Sequence, residues 1–282
     1  MLQGQPSRTA FAAARHRAVH QILEQGRVFT DPLAWTILAE DDEQQIVAAA
    51  RADPNSRRLR MFIAARHRFA EDRLAAAIAR GVNQLVILGA GLDTFSYRNT
   101  YPALTVYEVD HPDTSAWKQQ RLRDTGIPIP LTAVLVTVDF ESQRFIDALT
   151  RNGFDAAQPA FFMWLGVAPY LTHAALESTL SQISSVPGAE VVFDYAAQQP
   201  GMSDADIAAR QALRERTKAL GEPLQDPLDP DLVATLLEDN GFRYVDDLAS
   251  SDIRTRVLGV TAGGSSGGAG GHIVHAAVTP PT

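Results

Sequence analysis

Apolar positions along this chain change their period near residue 84. Upstream they recur at helical spacing. Downstream, short unbroken apolar runs alternate with amphipathic stretches. The first helix is predicted over residues 8–25, where Phe11, Ala14, Val19, Ile22 and Leu23 form a partial stripe and Gly26 ends it. Asp31-Pro32 reads as an N-cap with proline at the first helical position, opening a short helix through Leu38. A further helix over 41–52 is broken by Asp53-Pro54. The next, over 57–80, closes on Gly81 and places Leu59, Phe62, Ile63, Ala70, Leu74 and Ala77 on one face. Arg66 falls on that same face. Two readings stand: the guanidinium reaches an edge or pairs with an internal carboxylate, or its fork grips a ligand carboxylate. His67 and Arg68 are expected to turn outward into solvent.

From Gln84 the pattern is that of strands. Gln84–Leu88 suits a strand buried on both faces and ends in Gly89-Ala90-Gly91. Two glycines there permit a sharp turn and let a ligand approach bare backbone. The plain alternative is an ordinary tight strand-to-helix turn. Thr94 stands where a dinucleotide fingerprint has its third glycine, and the Lys-Ser/Thr ending of a phosphate loop is missing. A second run, Leu104 to Asp110, ends in a carboxylate about twenty residues further on, where ribose hydroxyls can be held. A third, Val134 to Val138, ends in Asp139-Phe140, an acid and an aromatic ring that suit an adenine. Strands are also expected over Ala160–Leu165, Glu190–Tyr195, Phe242–Asp246 and Ile273–Val278. Helices are expected over 113–124, 141–152, 173–185, 204–220 and from Asp229-Pro230 to Asn240-Gly241. Such alternation implies an α/β fold, a parallel sheet with helices on both faces. Pro223, Pro227 and Pro230 mark a loop. The glycine-rich segment 263–271 has no lysine and precedes no helix, so it reads as a mobile hairpin loop and not as a phosphate cradle.

Bulk properties narrow the function. The chain has 282 residues, 45% of them hydrophobic, enough for a full core. A formal net charge of −8 argues against nucleic acid as a partner. The absence of cysteine excludes disulfides, thiolate metal sites and cysteine nucleophiles, and no metal site is expected. Met1 to Thr9 has no apolar core of a secretory signal, and no stretch suits a membrane span, so a cytoplasmic protein without a membrane partner is expected.

Taken together, Phe29-x-Asp31-Pro32-x-Ala34, Ala65-Arg66-His67-Arg68-Phe69, Gly89-Ala90-Gly91-Leu92-Asp93-Thr94, Glu108-Val109-Asp110-His111-Pro112 with Lys118, Val138-Asp139-Phe140, Gly153-Phe154-Asp155 and Tyr170-Leu171 carry a resemblance. The chain resembles class I S-adenosylmethionine-dependent methyltransferases of the leucine carboxyl methyltransferase-like group, which includes polyketide carboxyl O-methyltransferases. The likeness begins near Thr9-Ala10 and covers most of the first 200 residues. It implies a Rossmann-like, mostly parallel sheet with an antiparallel last strand. It also implies an N-terminal helical cap over 1–82 and a methyltransferase domain over 83–282 with a helical insertion at 196–230. Arg66 would hold the methionine carboxylate of S-adenosylmethionine, and Gly89, Ala90 and Gly91 would pass along its methionine portion. Asp110 would take the ribose hydroxyls, with Glu108 as the alternative, and His111 would lie beside the adenine. Asp139 and Phe140 would bind the adenine edge. Asp93 is expected to cap a helix. Arg15 is the candidate for a basic contact near the N-terminus. Trp164, Tyr170 and Tyr195 are candidates on the acceptor side.

Two positions depart from the family pattern: Leu165 replaces a glutamate expected to face the cofactor's methionine end, and Phe95 replaces an arginine. The function the resemblance implies is O-methyl transfer to a carboxylate, or a hydroxyl, of a small molecule or peptide, as in secondary metabolism. No strong general base stands out, which favours a carboxylate, already ionised at neutral pH. The helices before Gln84 and the 196–230 insertion are expected to lid the acceptor pocket. Two other readings compete. One is a cofactor-binding protein that does not methylate, for which Leu165 speaks. The other is a nicotinamide-dependent dehydrogenase, against which Thr94 speaks.

Overall fold

The computed structural model describes residues 7–38, 42–139, 143–198, 204–260 and 271–281. Phe140 and residues 263–270 of the glycine-rich segment lie outside them.

Four helices precede the sheet: α1 (Arg8–Leu23), α2 (Ala34–Leu38), α3 (Glu43–Ala52) and α4 (Pro54–Ala79). Asp53-Pro54 both breaks and starts a helix. Asp53 accepts the Asn55 amide and Pro54 fills the first turn, so α4 begins three residues before the periodicity suggested. Asp31 likewise turns the chain by accepting the Leu33 amide, and α2 follows from Ala34.

The strands are β1 (Gln84–Leu88), β2 (Thr105–Asp110), β3 (Ala133–Thr137), β4 (Phe161–Trp164), β5 (Glu190–Ala196), β6 (Tyr244–Leu248) and β7 (Gly271–Ala277). They form one sheet in the order β3-β2-β1-β4-β5-β7-β6. The pairs from β3 to β5 are parallel, and β7 runs antiparallel between β5 and β6. This is the mixed sheet the resemblance implied. Helices α5 (Phe95–Arg98), α6 (Pro112–Asp124), α7 (Phe145–Arg151), α8 (His173–Ser184), α9 (Asp204–Ala219) and α10 (Pro230–Asp239) connect or flank the strands. The short α5 has no apolar period, and only the cap expected at Asp93 pointed to a helix there. Chain order reverses between β1 and β4, so the crevice at their carboxyl ends is where such sheets place a ligand.

Both faces of the sheet are dry. Trp164, Phe193, Tyr195 and Val274 pack with α7, α8 and α10 on one face. Ile87, Met163, Val192 and Ile273 pack with Ala70, Leu74 and Ala77 of α4 on the other. A third cluster joins Ala14, Ala18, Ile37, Leu92 and Leu122, so α1 and α2 close against α6 and the turn after β1.

One outward assignment is corrected. His67 is buried: its Nδ1 lies 2.8 Å from the Ile63 carbonyl, its Nε2 lies 3.4 Å from Asp93, and its ring packs on Phe29. Helix α4 is covered on two sides, by the sheet and by the 28–31 segment under α1, so its second face is also interior. Arg68 does lie exposed, paired with Asp72.

Candidate active site

The turn after β1 brings the chain back on itself at Gly89 (φ 66°) and Gly91 (φ 46°), in a region that side chains rarely adopt. Packing makes the same demand. A Cβ at Gly89 would lie 2.5 Å from Val167 Cγ2, and one at Gly91 would lie 2.9 Å from the Ala10 Cβ. The bare backbone expected to face a ligand is pressed in this structure by the loop after β4 and by α1.

Asp110, the last residue of β2, accepts the Gly91 amide at 2.6 Å and the His111 amide at 2.7 Å. Burial raises its pKa, opposed by those two amides and by Lys118. Each oxygen keeps a lone pair for a further donor. Glu108, two residues deeper on the same face of the strand, accepts Lys118 Nζ at 2.7 Å and the Tyr97 hydroxyl at 2.8 Å, all on Oε2. Burial and Glu108 both drive the Tyr97 phenol upward. The other oxygen, Oε1, is buried with no partner among the described residues. An orphaned carboxylate oxygen beside Asp110 fits a hydroxylated ligand, which keeps Glu108 as a candidate alongside Asp110 for a ribose contact. His111 starts α6, its Nδ1 accepting the Asp113 amide at 3.3 Å. The β2–β3 register ends at Asp110↔Thr137, and the Val138 amide donates to the Asp110 carbonyl, so half-buried Asp139 stands at the neighbouring strand tip.

Across the switch point, Arg66 is 7% exposed, and its Nη1 donates to Asp194 Oδ2 at 2.9 Å. The other oxygen of Asp194 accepts the Gly166 amide at 2.6 Å. Gly166 (φ 74°) leaves no room for a side chain, since a Cβ there would meet Arg66 Nη2 at 2.6 Å. Arg66 Nε is buried without a partner among the described residues. Asp194 was missed in the sequence, where it sits inside the apolar run of β5 and does not close it as Asp110 closes β2. His16 of α1 was missed too. It is half-buried, and its pKa falls to about 4 because burial and the charges of Arg60, Arg216, Arg15 and Arg66 disfavour a proton.

Helix α1 is tied down over the turn. Arg17, also buried, donates to Asp31 at 3.1 Å and to the Leu92 carbonyl at 2.6 Å. Asp31 accepts the Thr94 hydroxyl at 2.8 Å, so the residue in the third-glycine position fastens the turn to the segment before α2. Asp93 accepts the Phe95 amide at 2.7 Å from the position before Thr94, the N-cap residue, so it supports the first turn of α5 from just outside the expected cap. Burial pushes its carboxyl up, but bonding to His67 outweighs that and holds it well below the usual range. Phe95 is buried beneath the Arg98 guanidinium.

The acceptor-side candidates separate. Tyr170 is half-buried near Arg66 and Asp194 and hydrogen-bonds Thr9; burial raises its pKa. Arg15 is exposed over the Phe11 ring. Trp164 and Tyr195 lie in the core on the opposite face of the sheet from Arg66, where the Tyr195 hydroxyl donates to Asp247 at 2.6 Å.

The donor set suits S-adenosylmethionine: a buried guanidinium nitrogen at one end and a buried carboxylate oxygen beside Asp110 in the middle, both without a partner among the described residues, and Asp139 beyond. Comparison with known proteins agrees. A family model described as leucine carboxyl methyltransferase matches residues 10–184. A candidate S-adenosyl-L-methionine-dependent methyltransferase of Bacillus subtilis is 28% identical over 281 residues, 90% of this chain and 91% of that protein. One from Mycobacterium marinum is 33% identical over 72% of this chain and 66% of its own length, and one from Mycolicibacterium gilvum is 37% identical over 58% of this chain and 53% of its own. The chain thus spans about half to two thirds of these mycobacterial relatives. The fold is shared with a crystal structure of a candidate methyltransferase from Thermobifida fusca, at TM-score 0.62 and 15% identity, covering 98% of this chain and 96% of that one. The chain belongs to the leucine carboxyl methyltransferase family of S-adenosylmethionine-dependent methyltransferases.

Proposed function

We propose that the chain transfers a methyl group to an oxygen of a small molecule or peptide, with a carboxylate as the acceptor. The observation that supports this is the charge around His16, where Arg15, Arg60, Arg66 and Arg216 all act on one half-buried imidazole. Glu24 neutralises Arg60 and Asp194 neutralises Arg66. Arg15 and Arg216 are exposed, within reach of an approaching anion.

When bound, S-adenosylmethionine supplies an electrophilic methyl group together with its leaving group. The chain's residues bind, orient and shield. Arg66 holds the methionine end. Asp110 and Glu108 fix the ribose, and His111 and Asp139 border the adenine. Helices α1 to α4, with α9 and the segment that follows it, act as a lid over the acceptor and exclude water. A carboxylate acceptor arrives ionised at neutral pH, so no residue has to take its proton. A hydroxyl acceptor is the second reading; it would draw on His16, an uncharged imidazole at pH 7, but the burial and arginine charges that lower its pKa to about 4 make it a weak base. The nicotinamide reading falls with the family assignment. The non-methylating reading rested on Leu165 alone.

The test is transfer of a radiolabelled methyl group to a panel of hydrophobic carboxylic acids, phenols and C-terminal peptide carboxylates, followed by mild base. Label released as methanol marks an ester and supports the carboxylate reading. Base-stable label marks an ether and replaces it with the hydroxyl reading.

A further inference from the structure

We infer that Asp194 is itself a ligand-binding residue, and that with Arg66 it forms a clamp of two signs for the zwitterionic amino-acid end of the cofactor. In this clamp Asp194 receives the α-ammonium and Arg66 the α-carboxylate. The inference rests on the S-adenosylmethionine reading and adds to it a residue for the positive end.

The placement comes from strand register. Strands β4 and β5 are paired up to Trp164↔Phe193. One step further along both strands stand Leu165 and Asp194, side by side. Both face the α4 side: Leu165 packs against that core, and Asp194 bonds Arg66. The carboxylate absent at position 165 is therefore present one strand over, at the same height in the sheet.

The bonding leaves room for a ligand. Among the described residues each oxygen of Asp194 has one protein donor, Arg66 Nη1 or the Gly166 amide, and a carboxylate oxygen can accept two. Arg66 spends one nitrogen on Asp194 and leaves the buried Nε without a partner among the described residues. A donor and an acceptor are thus both underused within one buried ion pair. The pair is neutral as a whole, so a neutral zwitterion matches it charge for charge. An isolated anion or cation would leave one buried charge uncompensated, which is costly. The absence of a Cβ at Gly166 is what lets the guanidinium lie against the backbone beside Asp194.

Calorimetry on the full chain tests this with three probes: S-adenosylhomocysteine, its analogue with hydroxyl in place of the α-ammonium, and 5′-methylthioadenosine, which lacks the amino-acid end. The wild-type chain should bind the α-hydroxyl analogue roughly 10- to 100-fold more weakly than S-adenosylhomocysteine, the range of a charged hydrogen bond. Asp194→Asn should remove most of that difference by weakening S-adenosylhomocysteine alone, leaving 5′-methylthioadenosine within about threefold by the same argument. Equal losses for both ligands would mean that Asp194 merely supports the fold, and equal wild-type affinity for the α-hydroxyl analogue would overturn the clamp without any variant. Binding of 5′-methylthioadenosine with no preference for S-adenosylhomocysteine defeats the clamp and spares the adenosyl site, whereas no binding of either defeats both.

Discussion

The carboxylate of Glu222 accepts the backbone amide of Thr9 at 3.2 Å, from 213 residues further along the chain. It also takes the Arg8 amide at 3.1 Å, the Ser7 hydroxyl at 3.1 Å and the Thr9 hydroxyl. Helix α1 therefore has its free N-terminal donors satisfied by the segment that follows α9, in addition to its own cap Ser7. The same segment holds the loop after β4, where the Gln225 amide donates to the Pro169 carbonyl at 2.9 Å.

Glu222→Ala should release the start of α1 from the turn it covers. The expected cost is about 1 kcal/mol by denaturant unfolding, the size of a lost helix cap. Proteolytic cleavage within residues 7–15 should accelerate, and S-adenosylhomocysteine should dissociate faster in stopped flow. An unchanged cleavage pattern would mean that α1 is held by Arg17 and the core alone.

Acid should act through His16. Its ordinary value is 6.5 and its folded value about 4, so between those the unfolded chain binds more protons. Stability from this group is present above pH 6.5 and falls as the pH drops toward 4. His20, lowered by burial, acts in the same sense. His16→Gln should shrink the stability difference between neutral and acid pH, read from urea midpoints. The same difference in both proteins would exclude this group as the source.

Lys118 and Glu108 are 4% and 2% exposed and 2.7 Å apart. Lys118→Met would strand a buried carboxylate and should cost roughly 3–5 kcal/mol. Adding Glu108→Gln should recover part of that loss, because the charge needing a partner is gone. A double variant as unstable as the sum of its parts would show that the two side chains act independently.

Tyr195→Phe separates structure from binding. Loss of the hydroxyl bond to Asp247 should cost about 1 kcal/mol, with affinity for S-adenosylhomocysteine unchanged. A marked loss of affinity would return Tyr195 to the acceptor side, against its place in the opposite core.

Much of this fold was written locally. The period change at Gln84, the capping pairs Asp53-Pro54 and Asp229-Pro230, and the acids closing successive apolar runs located the strands and most helices to within a few residues. Such signals survive because they depend on neighbours along the chain. His67 was misjudged because its burial depends on Phe29 and Asp93, which reach α4 from other segments. Leu165 drew notice as a missing acid, yet Asp194 was passed over, since only the β4–β5 register shows that they adjoin.

The sequence by itself determined which positions are apolar, where the chain turns, and that carboxylates end the strands around a bare Gly-Ala-Gly corner. Only the tertiary structure decided which charges meet: Arg66 with Asp194 across 128 residues, and Glu222 with the start of α1. Periodicity records a residue's environment, inside or outside, whereas the partner of a buried charge is fixed by strand order and register, which join segments that carry no mark of one another.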